Sequence, residues 1–155
     1  MAQLPPFPTR DAVVDPTRML SRVWGYWLTA VRDLLSVAAA RVASVRLTAQ
    51  AAAITTTAAL AVVTTGLYRV SSVLRITQAA TSSSSATVTI GWTDTGVALT
   101  QAFAAVTGNT VTTTQSSSVV IAADALTSVT YAVAYANVGA TPMQFSVSVL
   151  VEEVG

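Results

Sequence analysis

The apolar pattern of this chain changes period near Leu60, and that change limits the folds open to it. Before it, from Pro16 to about Ala53, apolar residues recur in steps of three and four. They fall at Leu20, Trp24, Trp27, Val31, Leu34 and Ala38, then resume after a shift of one at Leu35, Ala38, Val42, Val45, Ala49 and Ala52. Such steps keep a narrow seam on one side of a helix, narrower than the stripe of a core-facing globular helix. After Leu60 the apolar residues alternate with Ser and Thr, most clearly at Met143, Phe145, Val147, Val149 and Val151. A period of two belongs to a strand with one buried face.

The helical stretch has a start signal. Asp15 suits the cap of the free backbone N–H groups, and Pro16 suits the first helical position, where its missing donor costs nothing. Trp24-Gly25-Tyr26-Trp27 follows, with the two tryptophans on one face and Tyr26 on another. Gly25 inside a helix costs about 1 kcal/mol relative to Ala, which points to close packing there. The seam residues Leu20, Trp24, Trp27, Val31, Leu34, Leu35, Ala38, Val42 and Val45 form the expected oligomer interface. Near Leu34 and Leu35 the register slips, a stutter that locally unwinds a left-handed coil. Ahead of the helix, Pro5, Pro6 and Pro8 enforce an extended backbone around Leu4 and Phe7, as in a docking peptide.

Three segments are expected: an extended proline-rich anchor over 1–14, a helical oligomerisation stalk over 15–54 and a β-domain over 55–155. In the β-domain, Tyr68, Val70, Leu74 and Ile76 share a face, with Arg69, Ser71, Arg75 and Thr77 opposite. Val88, Ile90 and Trp92 repeat the pattern, as do Val97, Leu99 and Phe103, and then Val129, Tyr131, Val133 and Tyr135. Val119 to Ala122 reads as a strand, while 110–118 is weak. Thr93-Asp94-Thr95-Gly96 and Gly108-Asn109 are turn signals. Seven or eight strands with this spacing predict an antiparallel β-sandwich, jelly-roll-like, so the fold class is mainly β with a long N-terminal α-helix.

Charge sharpens the reading. Only 10% of the 155 residues are charged and 52% are hydrophobic, against a usual charged share of about 25%. Mixed surface charge is what keeps a monomer from associating, so faces this bare are expected to be covered by partners. The uncharged span Leu47 to Tyr68 is built mainly of Ala and Thr, too weakly apolar for a membrane helix. A membrane-associated oligomer is kept as an alternative. All eight basic residues are arginines at or before Arg75, and Arg18, Arg22, Arg32, Arg41 and Arg46 are spaced along the helical pattern as a solvated face, so no nucleic-acid partner is expected.

The reactive residue types are missing. With no His, no Cys and no Lys, the usual general bases, activated nucleophiles and thiolate ligands are absent. The carboxylates after Arg75 are Asp94, Asp124, Glu152 and Glu153, two in turns and two on successive strand positions that point apart. No phosphate loop or metal-ligand spacing appears. The expectation is a protein that is not an enzyme and takes no cofactor and no metal.

The stretches GLYRVSSVLRITQAATSSSSATVTIGWTD and SVTYAVAYANVGATPMQFSVSVLVEEV resemble a family of small tailed-bacteriophage structural proteins, over roughly residues 66–154. The start PPFPTRDAVVDPTRMLSRVWGYWL is similar to virion-attachment termini of such proteins, and the strand pattern more distantly resembles trimeric jelly rolls of the C1q and tumour-necrosis-factor type. The resemblance implies a virion component of the head-fibre, decoration or tail-appendage kind. The expected partners are therefore further copies of the chain, as a homotrimer, and capsid, portal or neck proteins, with Leu4, Pro5, Pro6, Phe7 and Pro8 as the anchor. The alternative is a receptor- or glycan-binding tail fibre module, with Trp92 and Tyr135 beside the Ser/Thr stretches 81–85 and 112–118 as candidate glycan contacts.

Overall fold

Residues 22–36 and 40–154 are described by the computed structural model. The chain divides into two compact units, Met1–Ala40 and Arg41–Gly155.

The first unit holds α1 (Arg22–Ser36). Trp24, Trp27 and Val31, in three- and four-residue steps, are half-buried together with Gly25 and Ala30, while Tyr26 and Leu28 are exposed. The helix carries the Trp24, Trp27, Val31, Leu34 and Leu35 part of the expected seam, and Leu20 and Ala38 lie outside the described residues.

The second unit is built from nine strands: β1 (Ala40–Gln50), β2 (Ile54–Ala61), β3 (Gly66–Gln78), β4 (Ser84–Asp94), β5 (Val97–Ala102), β6 (Val106–Thr107), β7 (Thr114–Ala123), β8 (Ser128–Asn137) and β9 (Gln144–Glu153). They form two sheets, one ordered β1-β9-β3-β7 and the other β2-β8-β4-β5 with β6 also on β4. β3 pairs antiparallel with both β9 and β7, and β4 with both β8 and β5. The first four strands alternate between the sheets, as do the last three, so the core is closed from both sides by the same stretches of chain. The molecule is mainly β, an antiparallel sandwich.

The long stalk helix is corrected. The helix ends by Ser36, and residues 40–50, expected in its alanine-rich half, are strand β1. Val42 and Val45, placed on one helical seam by their three-residue step, lie on opposite faces of β1. Val45 packs with Ala43 and Leu47 against the core, whereas Val42 faces out with Ser44 and Arg46. The segment satisfies both periods, because Ala43, Val45 and Leu47 also alternate. Alanine-rich composition favours helix by only a few tenths of a kcal/mol per residue. Pairing with the valine-rich β9 outweighs that preference. The β-unit therefore begins about fifteen residues before the expected boundary at 55.

Elsewhere the alternation holds. Tyr68, Val70, Leu74 and Ile76 on β3, Val88 and Ile90 on β4, Val129, Tyr131 and Val133 on β8, and Phe145, Val147, Val149 and Val151 on β9 are all buried in one cluster. Met143 joins them at 0% exposure. Burying each such side chain contributes roughly 1.5–3 kcal/mol, so this inter-sheet layer is the main source of stability. β5 departs from expectation: Val97 and Leu99 are exposed, and only Phe103 beyond its end packs on the core. As an edge strand, β5 has a neighbour on one side only.

Candidate functional site

The outer faces of the sandwich follow from the same alternation. On the β2-β8-β4-β5 sheet, β4 turns out Thr87, Thr89 and Gly91, and β8 turns out Thr130, Ala132 and Ala134. Asp94, at the end of β4, is the single charged residue in all five strands of this sheet. A Cβ on Gly91 would lie 2.6 Å from Thr130 Oγ1, because the Thr130 hydroxyl leans over Gly91 and donates to its carbonyl. The surface is small-residue, hydroxyl-bearing and nearly uncharged.

The other outer face carries the charge. Arg69 on β3 meets Glu152 on β9, its cross-strand partner, with Nη2 and Nε each donating to Oε2 at 2.7 and 2.8 Å. Further along the same face is an open depression of about 370 Å³, lined by Ser44 and Arg46 of β1, Ser71 and Val73 of β3, and Ser148 and Leu150 of β9. Serine hydroxyls there have no His, Lys or Cys in the chain to activate them. Hydroxyls, one guanidinium and aliphatic groups can make hydrogen bonds and apolar contact.

The carboxylates are engaged in holding loops. Asp124, between β7 and β8, accepts from the Gly96 N–H at 2.8 Å, and its own N–H donates to the Thr93 carbonyl at 2.9 Å. This places Asp124 beside the β4–β5 turn that contains Asp94, a proximity no sequence spacing shows. Glu153 accepts from the Thr64 hydroxyl at 3.3 Å. Among the described residues no group of three or more His, Cys, Asp or Glu could hold a metal ion. No helix among them is long and apolar enough to cross a membrane.

Trp92 and Tyr135 are not brought together. Tyr135 pairs with Ala86 near the start of β4, and Trp92 lies six residues on, which is about 20 Å along a strand. The Tyr135 hydroxyl donates to the Met143 carbonyl at 2.9 Å, and its ring tilts against Phe145 at 6.0 Å. Trp92 packs half-buried on the core opposite Leu99. The stretch 112–118 is largely strand β7, and Ser84 is already buried in β4. Each aromatic is therefore part of the sandwich's own packing.

On α1, the Trp24 and Trp27 rings meet edge to face at 6.0 Å and 70°. Tyr26 is 75% exposed on another side of the helix. The Thr29 hydroxyl donates back to the Gly25 carbonyl at 2.9 Å. The anchor residues Leu4, Pro5, Pro6, Phe7 and Pro8 lie outside the described residues.

No protein-family model matches this chain, and no curated protein matches it.

Proposed function

We propose that this protein is a homo-oligomeric bacteriophage virion structural protein, a trimeric appendage that decorates the head or forms a fibre. The observation that carries the assembly role is the nearly charge-free sheet, where one carboxylate serves five strands. A face of Thr, Ala and Gly offers neither the charge that keeps a monomer soluble nor a reactive group. It does suit close contact with another protein surface.

The strand orders β1-β9-β3-β7 and β2-β8-β4-β5 support reading the head as a jelly roll, an architecture shared by viral capsid and lectin domains. The resemblance over residues 66–154 supports the virion setting, and the Trp24–Trp27 helix supports association through the N-terminal unit. The work is mechanical: residues ahead of α1 attach, α1 associates, and the sandwich projects. Catalysis forms no part of this reading.

The test is mass in solution together with mass spectrometry of purified particles. The expected result is a species three times the 15.9 kDa chain, or a multiple of that trimer, and its peptides in the particle. A stable monomer at tens of micromolar, or absence from particles, overturns the proposal.

A further inference from the structure

Among the described residues the sandwich has four edge strands of six or more residues, β1 and β7 on one sheet and β2 and β5 on the other, with the two-residue β6 also at the edge beside β4. An edge displays unpaired N–H and C=O groups and is usually blunted by charge, irregularity or shortness. β1 contains Arg41 and Arg46 and a left-handed Ala49 at φ 53°. β2 breaks register twice against β8, between Ile54 and Thr57 and between Ala58 and Leu60. β5 is six residues long. β7 has none of these devices: it runs ten residues as TQSSSVVIAA, without charge, proline or any break in its register with β3.

The phase of its hydrogen bonds is set by the Ile76 N–H, which donates to the Thr113 carbonyl. In an antiparallel ladder bonded pairs alternate, so Gln115, Ser117, Val119 and Ile121 bond towards β3. Thr114, Ser116, Ser118, Val120 and Ala122 then direct their N–H and C=O groups outward. Val120 also leaves 59% of its surface exposed.

We propose that this edge pairs with the same edge of a second copy, across a two-fold axis at Ser118. Centred there, Ser118 opposes the partner's Ser118, Ser116 opposes the partner's Val120, and Thr114 opposes the partner's Ala122. All five outward residues are then used, giving about ten main-chain hydrogen bonds, one donor and one acceptor per residue. A centre on Ser117 or Val119 leaves one of the five out. The strand carries no charge to set against itself. On the outer face Arg69 and Arg75 sit beside Val120 and Thr114 on β3, so each is a further strand away from the partner. The contact joins copies by a two-fold, so it would link trimers to each other and does not depend on the three-fold association proposed above.

The full chain has no cysteine, so a single introduced one reports only on contact between copies. In the two-fold register the Cα atoms at position 118 lie about 5.5 Å apart, within disulfide reach. At position 116 they are offset by four residues, about 14 Å. Under a mild oxidant, Ser118→Cys is expected to give a disulfide-linked dimer and Ser116→Cys at least about tenfold less. Hydrogen exchange on the unmodified chain supplies a second measurement: amides 116, 118 and 120 should lose protection on dilution, because only the second copy covers them. Equal cross-linking at both positions, or exchange at these amides that dilution does not alter, overturns the pairing. A trimer of α1 segments without β7 contact gives that overturning result while leaving a threefold mass.

Discussion

The Asp124 carboxylate accepts a 2.8 Å hydrogen bond from the Gly96 N–H, tying the β7–β8 connection to the β4–β5 hairpin 28 residues away in sequence. A charged acceptor on a backbone donor is among the stronger hydrogen bonds. Asp124→Ala is therefore expected to lower stability by about 1–2 kcal/mol. Asp124→Asn should recover part of that, since an amide oxygen can still accept. Chemical denaturation of the three proteins checks the order.

The hairpin itself is strained. Asp94 pairs with Val97, leaving Thr95 and Gly96 as a two-residue loop with φ of 50° and 76°. Positive φ at both positions is a type I′ turn, which favours Asn-Gly. A β-branched residue at the first position is out of place. Thr95→Asn is expected to stabilise by roughly 0.5–1 kcal/mol, raising the melting temperature by a few degrees. A lowered melting temperature would show that the Thr95 hydroxyl bond to the Asp94 carbonyl matters more.

Gly108 is required by a close approach. A Cβ there would lie 1.9 Å from Met143 Sδ and 2.3 Å from Ser84 Oγ. Its N–H donates to the Ser84 carbonyl and its carbonyl accepts from the Ala80 N–H. The backbone is thus held and Met143 is fully buried. Gly108→Ala should cost about 1–3 kcal/mol, the usual range for overpacking, measurable as a fall in the denaturation midpoint.

Ser72 stands on the core-facing side of β3 between Val70 and Leu74 and is 2% exposed. Among the described residues no hydrogen bond to its hydroxyl is seen. Removing a buried hydroxyl that lacks a partner relieves its desolvation cost. Ser72→Ala is expected to be neutral or to stabilise by up to about 1 kcal/mol, and destabilisation in a thermal melt would reveal a partner.

Replacing Trp24 and Trp27 together with Ala removes the edge-to-face pair of α1. The β-unit has its own closed core, so its unfolding midpoint should stay the same while association weakens. Light scattering and a thermal melt on one sample separate these effects. Loss of the sandwich's stability before any change in mass would contradict the division into a helical association unit and an independent β-unit.

The buried faces of β3, β4, β8 and β9 were legible because large apolar residues alternate there with Ser, Thr and Arg, and that period fits only a half-buried strand. The N-terminal half of β7 was faint, since Thr114 to Ser118 carries no apolar residue; continuous pairing with β3 makes it a strand. β1 was misread for the opposite reason, its small apolar residues meeting two periods at once. The meeting of Asp124 with the Gly96 turn, and the separation of Trp92 from Tyr135, could not be read because both depend on which strands become neighbours.

By itself the sequence determined that this chain builds a charge-poor antiparallel sandwich without the reactive residues of common catalysts, because composition and alternation act locally at every position. Only the tertiary structure decided where helix gives way to strand, which strands lie at the edges, and which edge is left unblunted. Those choices arise from strand pairing and burial between residues far apart in the chain. They outweigh the few tenths of a kcal/mol per residue by which local propensity would have continued the helix through β1.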